Sequence, residues 1–262
     1  MKIVVLRGGA APLRRAGQAA TTEAPGAGHN GVTAIGDGLG QWALLNLSAA
    51  VAHQLETDRS LDTHGGLGAD GPRTVVITDV HLDHVGGLLS LRDGPPIELY
   101  ATPSAFEALT SALPILPVLQ SYCGVHWHVV PVSGDRPVAS FRIDHMPSLE
   151  FTAIATNAPP AQHAAPGEHP RVGDSIVLAV RDLHTGQRAF CAPGNAPTSG
   201  LALDWMQDAD CVLADGPSGS GWLEQLAGLP APQKLLIGAL AHSPTAPPQG
   251  LRLAHDGLAI QL

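Results

Sequence analysis

The chain has 262 residues, of which 44% are hydrophobic and 14% are charged, so it carries enough apolar material for a large core. Its formal net charge is −9, and Lys occurs only at positions 2 and 234, which argues against a surface that neutralises nucleic-acid phosphates. The longest apolar runs are strand-sized and shorter than the ~20 residues of a membrane span. We therefore predict a compact globule without a nucleic-acid or membrane partner.

The first residues and the cysteines indicate the compartment. Met1–Leu6 enters a strand directly, with no apolar leader segment after it, which predicts a cytoplasmic location. Cys123, Cys191 and Cys211 are widely spaced, and each has apolar neighbours. We interpret them as buried free thiols and not as a disulfide framework.

The first half of the chain begins with a strand and a loop from Arg7 to about Asn30 that is rich in Gly, Ala and Pro. Two strands joined by the turn Asp37–Gly40 follow, and then a helix to about Thr57 with Ser48 as its N-cap. Thr74–Thr78 is a β-branched, apolar run typical of a strand buried on both faces. The remaining elements predicted in this half are strands at 96–101 and 125–132, and a helix to about Leu113 with Ser104 as its N-cap.

The second half repeats this mixture of strands and helices. Strands are predicted near 149–155, 175–181, 188–192, 210–214 and 234–240, with a helix near 201–207. Residues 157–173 hold several prolines and read as a long loop that could cover a ligand. Two halves of similar pattern predict one domain over residues 1–262, of the α/β (α+β) class, in which two sheets face each other with helices outside.

The segment directly after the buried strand carries the strongest chemical signal. Asp79, His81, Asp83 and His84 fall within six residues and precede Gly86-Gly87-Leu88. A turn at a strand end can direct such carboxylates and imidazoles into one cavity, where they would suit Zn²⁺, Fe²⁺ or Mn²⁺. In the alternative interpretation, Asp79 and Asp83 cap the next helix and the histidines are exposed.

Other polar residues are weaker candidates. Asp215 ends a buried strand of the second half and is predicted to act as a metal ligand or as the carboxylate partner of a ligating histidine. His126 and His128 alternate along one strand, and a half-exposed sheet face explains them better than a metal site does. Three further histidines are not assigned to the site, namely His145, His163 and His169.

The motif and several other segments resemble a known family. Asp79-x-His81-x-Asp83-His84 before Gly-Gly-Leu-Leu is similar to the metallo-β-lactamase signature, whose usual form has His at the position of Asp79. More specifically, the chain resembles the coenzyme PQQ synthesis protein B family. The similar segments run in order over nearly the whole chain and include 1–6, 89–94, 99–103, 122–128, 173–176, 192–194, 209–216 and 229–232.

This resemblance implies a four-layer αββα sandwich and a role in maturing pyrroloquinoline quinone. The family is associated with metal-dependent hydroxylation of a tyrosine-derived precursor and, in an older description, with transport of the quinone. For this chain it implies Asp83 and His84 as catalytic residues and one divalent ion, Fe or Zn. The implied substrate is a small peptide-derived or amino-acid-derived molecule, and homodimer formation is left open.

The chain departs from the family pattern in three places. Residues 7–30 lack the cysteines of the family, so no structural Cys-bound zinc is expected. The segment after Gly216 is shortened. The late histidine of the family falls at Gly238, and His242 either replaces it as a metal ligand or plays no part in the site.

Two other functions remain open from the sequence. A divergent metallohydrolase would use zinc-bound hydroxide against an ester, lactone or phosphodiester. Asn195 stands where many hydrolases of the superfamily have a bridging Asp, which opposes a two-metal centre. A non-catalytic binding or carrier protein with a decayed metal site is the third hypothesis.

Overall fold

The computed structural model describes residues 1–7, 31–68, 71–158, 161, 169–193, 200–215, 220–237 and 247–262. Within these residues two seven-stranded sheets are formed. The strands in chain order are β1 Lys2–Arg7, β2 Val32–Gly36, β3 Trp42–Leu45, β4 Thr74–Val76, β5 Ile97–Ala101, β6 Val125–Val129, β7 Val138–Phe141, β8 Leu149–Ala155, β9 Ile176–Asp182, β10 Arg188–Ala192, β11 Cys211–Ala214, β12 Gln233–Leu236, β13 Arg252–Leu253 and β14 Leu258–Gln261.

The two sheets have the same internal plan. The first has the order β14-β1-β2-β3-β4-β5-β6 and the second β13-β12-β11-β10-β9-β8-β7. Strands β14 to β3 pair antiparallel, and β3 to β6 pair parallel. In the second sheet β7 to β10 pair antiparallel and β10 to β13 parallel. The predicted similarity of the two halves is thus confirmed at the level of strand pairing.

Three hydrophobic clusters define the layers. Alternate residues of both sheets, such as Ile3, Val5, Phe151 and Leu178, pack together in a central core. The outward residues of the first sheet pack against one set of helices, and those of the second sheet pack against another. The chain therefore adopts the predicted αββα sandwich, because each sheet buries one face against the other and one against helices.

The helices lie on the outer faces. The α-helices are α1 Ala49–Thr57, α2 Leu82–Val85, α3 Pro103–Thr110, α4 Ile115–Gln120, α5 Gly200–Gln207 and α6 Ser220–Ala227. Two 3₁₀ helices, Arg59–His64 and Gly86–Arg92, extend the first helical layer. Ser48 caps α1 as predicted, since its side chain accepts a hydrogen bond from the Val51 N–H. No described helix has the length and apolar character that would let it cross a membrane.

Several predicted boundaries are wrong. The strand predicted at Thr74–Thr78 ends at Val76, and the helix predicted to about Leu113 ends at Thr110. Helix α3 begins at Pro103, with Thr102 as N-cap, because Thr102 Oγ1 accepts from the Ala105 N–H at 3.1 Å. The Ser104 hydroxyl instead donates to Asp174. Strand β6 ends at Val129 and not at 132, since Pro131 has no N–H with which to continue a ladder.

Candidate metal centre

The candidate site is built on the loops that follow two neighbouring parallel strands, β3 and β4. Leu45 pairs with Val76 in register, so Asn46 and the segment after Val76 emerge side by side. Asn46 is fully buried, and its φ of 63° is the only positive value of a non-glycine residue in the described chain. Its Oδ1 accepts from the Thr78 N–H at 2.9 Å, and its Nδ2 donates to Thr78 Oγ1 at 2.8 Å. Asn46 therefore fixes the backbone immediately before Asp79.

Asp79 and His84 form a buried carboxylate–imidazole pair. His84 Nδ1 lies 2.7 Å from Asp79 Oδ1, and the two side chains are 0% and 8% exposed, respectively. Burial acts to raise the pKa of Asp79, but the charge and hydrogen bond of His84, with smaller contributions from His81, hold that pKa below its usual value. The carboxylate is therefore ionised at neutral pH and orients the imidazole.

His81 and Asp83 are placed differently from this pair. The His81 N–H donates to Asp79 Oδ1 at 2.9 Å, and the ring is half-buried. The His81 and His84 rings meet edge to face, with their centroids 6.1 Å apart. Asp83 lies in the first turn of α2 and is exposed. Asp79 and His84 are thus in direct contact, His81 lies beside them, and Asp83 faces solvent.

The glycine of the motif holds this turn against the loop after β3. The Leu47 N–H donates to the His84 carbonyl at 2.7 Å, and the Gly87 N–H donates to the Leu47 carbonyl at 2.9 Å. A Cβ at position 87 would lie 2.4 Å from the Ser48 carbonyl oxygen and 2.7 Å from that of Leu47. Because no real Cβ approaches so closely, only glycine allows the two loops to pack in this way.

Asp215 lies at the same end of the molecule, on the second sheet. It follows β11, is fully buried, and its N–H donates to the Ala192 carbonyl at 2.9 Å. The Ile176 N–H at the start of β9 donates to the Thr78 carbonyl at 2.8 Å, which joins the two sheets beside the motif. The topology therefore brings the motif and the end of β11 to one edge of the sandwich.

The remaining donors are not assembled by the described residues. In the part of the chain that the structure describes, no three or more His, Cys, Asp or Glu side chains are arranged to hold a metal ion. His242, His163 and Asn195 lie outside that part. His169 is exposed, and His145 lies 3.2 Å from the Thr74 hydroxyl through Nε2. The ligand set predicted from the sequence therefore remains a prediction.

His126 and His128 form a second cluster with Glu98, which was not predicted from the sequence. Glu98 on β5 lies 2.7 Å from His126 Nδ1 and 2.5 Å from His128 Nε2. The parallel pairing of β5 and β6 sets Glu98 directly beside His126, and the His128 ring stacks on Tyr100. Glu98 and His126 are 28 residues apart in the sequence, so no local pattern joined them. The alternation of side chains along both strands could have indicated the cluster.

Comparison with known proteins agrees with the fold. A family model described as "Beta-lactamase superfamily domain" matches residues 41–247. Coenzyme PQQ synthesis protein B of Methylobacillus flagellatus is 32% identical over 222 residues, which cover 84% of this chain and 70% of that protein. The protein of the same name from Klebsiella pneumoniae is 30% identical over 266 residues, which cover 87% of this chain and 84% of that protein.

A solved structure shares the architecture. The crystal structure of Zn(2+)-bound PqqB from Methylobacterium extorquens superposes with a TM-score of 0.68 and 17% identity, over the full length of both chains. At that identity the superposition supports the fold alone. The family model and the sequence matches show that this chain belongs to the coenzyme PQQ synthesis protein B family of the beta-lactamase superfamily.

Proposed function

We propose that this protein acts in the synthesis of coenzyme PQQ and that it carries out a metal-dependent oxidation of a tyrosine-derived precursor. The observation that carries the proposal is the identity of 30–32% to proteins named coenzyme PQQ synthesis protein B, over more than four fifths of the chain. The buried Asp79–His84 pair supports it, because such a pair is the usual way to orient a metal-binding histidine.

The donor chemistry of the site fits a divalent ion of the iron or zinc class. Imidazole and carboxylate groups are the ligands that these ions take in proteins. We propose His84 and His81 as ligands, with Asp79 as the carboxylate that orients His84 and Asp83 at the exposed rim. Asp215 would join the two histidines only when an ion binds, because the described residues by themselves form no group of three donors. His242 would complete the set. A bound ion would supply Lewis acidity and a site for activating oxygen or water.

The protein residues contribute positioning and charge. Asp79 engages His84 Nδ1, so His84 would bind an ion through Nε2. The lowered pKa of Asp79 keeps its carboxylate ionised, which holds the proton of the pair on the imidazole Nδ1. The contact of Thr78 with Asn46 and the close approach at Gly87 keep the turn rigid, as a metal centre of fixed geometry requires.

The first test is metal retention. The protein is incubated with Fe²⁺, Zn²⁺ or Mn²⁺ and desalted, and the bound metal is measured by elemental analysis beside His84→Ala and an Asp83→Ala/His84→Ala double variant. We expect about one equivalent in the parent protein and loss of at least tenfold in affinity in His84→Ala. His128→Ala, which alters a histidine of the exposed cluster, is the matched control and should retain the metal. Equal retention in all variants would contradict the proposed site.

The second test addresses the pathway. The chain is expressed in a PQQ-producing bacterium whose own coenzyme PQQ synthesis protein B is deleted, and secreted PQQ is quantified. Restored synthesis by the parent and by His128→Ala, but not by His84→Ala, is the expected result. No restoration by the parent protein would count against the role in PQQ synthesis. Restoration by His84→Ala would leave that role standing and would reject the metal-dependent step.

A further inference from the structure

A polar cleft lies on the outer face of the second sheet, away from the candidate metal centre. Helices α5 and α6 pack over the outward residues of β10 to β12, but they leave part of β7 to β9 open. The resulting cleft has a volume of about 270 Å³ between these strands and α5. Its floor consists of the in-register residues Ser140, Thr152 and Ala179, whose small side chains leave the recess.

A row of charged side chains crosses one end of this floor. Glu150 pairs in register with Arg181, and Arg181 with Arg188. They point outward, because the adjacent residues Phe151, Val180 and Ala189 face the central core. Two arginines directly opposite each other on neighbouring strands repel unless an anion lies between them. The row therefore forms a place where a carboxylate would be stabilised.

The neighbouring ion pairs single out Arg181. Arg142 pairs with Glu150 at 3.4 Å, and Arg188 pairs with Asp208 at 2.9 Å. Arg181 is exposed and, among the residues that the structure describes, makes no ion pair or side-chain hydrogen bond. Its guanidinium fork is suited to bidentate binding of a carboxylate.

Helix α5 supplies the opposite wall. Asp204 lies on α5, and Asp208, which directly follows the helix, lines the same cleft. Asp204 is exposed and has no ion-pair partner within the described ranges. Trp205 is half-buried, packs against the hydrophobic cluster between the second sheet and its helices, and lines the cleft. The cleft thus combines an arginine, a carboxylate and an aromatic surface.

We propose that this cleft binds a free α-amino acid with an aromatic side chain. Arg181, assisted by Arg188, would take the carboxylate, Asp204 the ammonium group, and Trp205 the ring. The volume of about 270 Å³ lies below the ~300–1,000 Å³ of pockets for drug-sized ligands, and an amino acid fits that size. The paired hydroxyls of Ser140 and Thr152 on the floor can hydrogen-bond a polar group on the ring.

This binding site is separate from the metal centre and does not rest on the proposed function. Arg188 begins β10, whereas Ala192 at the other end of that strand accepts the Asp215 N–H. These two residues are four positions apart along the strand, which is ~13 Å at ~3.3 Å per residue. The cleft also lies on the outer face of the sheet, while the motif lies at the edge where the two sheets meet.

The experiment is isothermal titration calorimetry of the full chain, without added metal, against three related ligands. L-phenylalanine carries both charges, 3-phenylpropanoate lacks the ammonium group, and 2-phenylethylamine lacks the carboxylate. We expect L-phenylalanine to bind and each of the other two to bind about tenfold more weakly or worse, since each loses one charged hydrogen bond. No heat with L-phenylalanine at millimolar concentration, or equal binding of all three ligands, overturns the proposal.

Variants assign the binding to the cleft. Arg181→Gln and Asp204→Asn should each weaken L-phenylalanine binding about tenfold or more, with unchanged circular dichroism spectra. Arg59→Gln is the matched control, because this arginine is 81% exposed, lies in the first helical layer and does not line the cleft. It should leave the affinity unchanged. Binding that Arg181→Gln and Asp204→Asn do not alter shows that the ligand lies elsewhere and contradicts the assignment.

Discussion

The first sheet carries two clusters of carboxylate and imidazole groups that differ chiefly in burial. In both, a histidine nitrogen lies 2.7 Å from a carboxylate oxygen. The Asp79–His84 side chains are at most 8% exposed, whereas those of Glu98, His126 and His128 are 34–61% exposed. The pKa of Asp79 and that of Glu98 are both lowered by their histidines against the opposing effect of burial.

The buried and the exposed carboxylate–histidine pairs should contribute differently to the stability of the protein. Water competes for an exposed ion pair and screens it, so such a pair contributes little to stability. A buried pair contributes a fixed orientation, and removal of one partner leaves the other without its counterpart in a medium of low dielectric constant. The four predictions that follow test whether burial, and not the identity of the groups, separates the two clusters.

The largest effect is expected for Asp79→Ala. His84 is fully buried and would lose the carboxylate that holds its Nδ1, so the free energy of unfolding should fall by about 3–5 kcal/mol. Urea unfolding at pH 7, followed by circular dichroism, measures this change. Glu98→Ala is the control in the exposed cluster. If the two variants lose the same amount of stability, burial does not distinguish the clusters.

Asn46 provides the next test, because it supports the buried cluster from a neighbouring loop. Asn46→Ala removes the acceptor of the buried Thr78 N–H and places a residue with a Cβ and no compensating hydrogen bond at φ 63°. We expect a loss of about 2–4 kcal/mol in the free energy of unfolding. Asn46→Gly keeps the backbone conformation and removes only the hydrogen bonds, so it should cost less. A larger loss of stability in Asn46→Gly than in Asn46→Ala would contradict the expectation that backbone conformation accounts for part of the loss.

Asp79 and Asn46 show what the sequence could and could not predict. The contiguous segment 79–84 predicted a site because its donor residues are close in the chain, and the structure places Asp79 and His84 in contact. Asn46 is 32 residues from its partner Thr78 and stands alone between Leu45 and Leu47. No local pattern indicated it, because its role depends on the parallel pairing of β3 and β4.

The fold was predicted more completely than the site for the same reason. Alternating and continuous apolar runs predict strands and layers locally, and both sheets formed as two similar halves. The errors fell where tertiary contacts decide a boundary. Ser104 resembles an N-cap in sequence, yet it bonds Asp174, 70 residues away. Helix α4 contains Pro117 within its six residues, so intrinsic helix propensity argues against it.

Gly87→Ala tests the backbone support of the buried cluster. The new Cβ would meet two carbonyl oxygens at 2.4 and 2.7 Å, so the loops must separate, at a cost of about 1–3 kcal/mol. Gly86→Ala is a close control, since position 86 has φ −61° and a Cβ there meets only a Leu82 methyl group at 4.0 Å. Thermal unfolding of both variants, with metal retention measured in parallel, should show a loss for position 87 alone.

The smallest effect is expected for Glu98→Gln. Because the cluster is exposed, the free energy of unfolding at pH 7 should fall by less than about 1 kcal/mol. The pKa of Glu98 is lowered in the folded protein, so its contribution is present above the ordinary pKa of a glutamate and is lost as the pH falls through the lower folded value. The melting temperatures of the parent and Glu98→Gln should therefore differ slightly at pH 7 and converge below about pH 4. A large difference in melting temperature at pH 7 that persists under acid conditions would mean that this cluster stabilises the sheet edge by packing, as the stacking of His128 on Tyr100 permits. The exposed cluster and the buried Asp79–His84 pair would then differ only in the size of their contribution to stability.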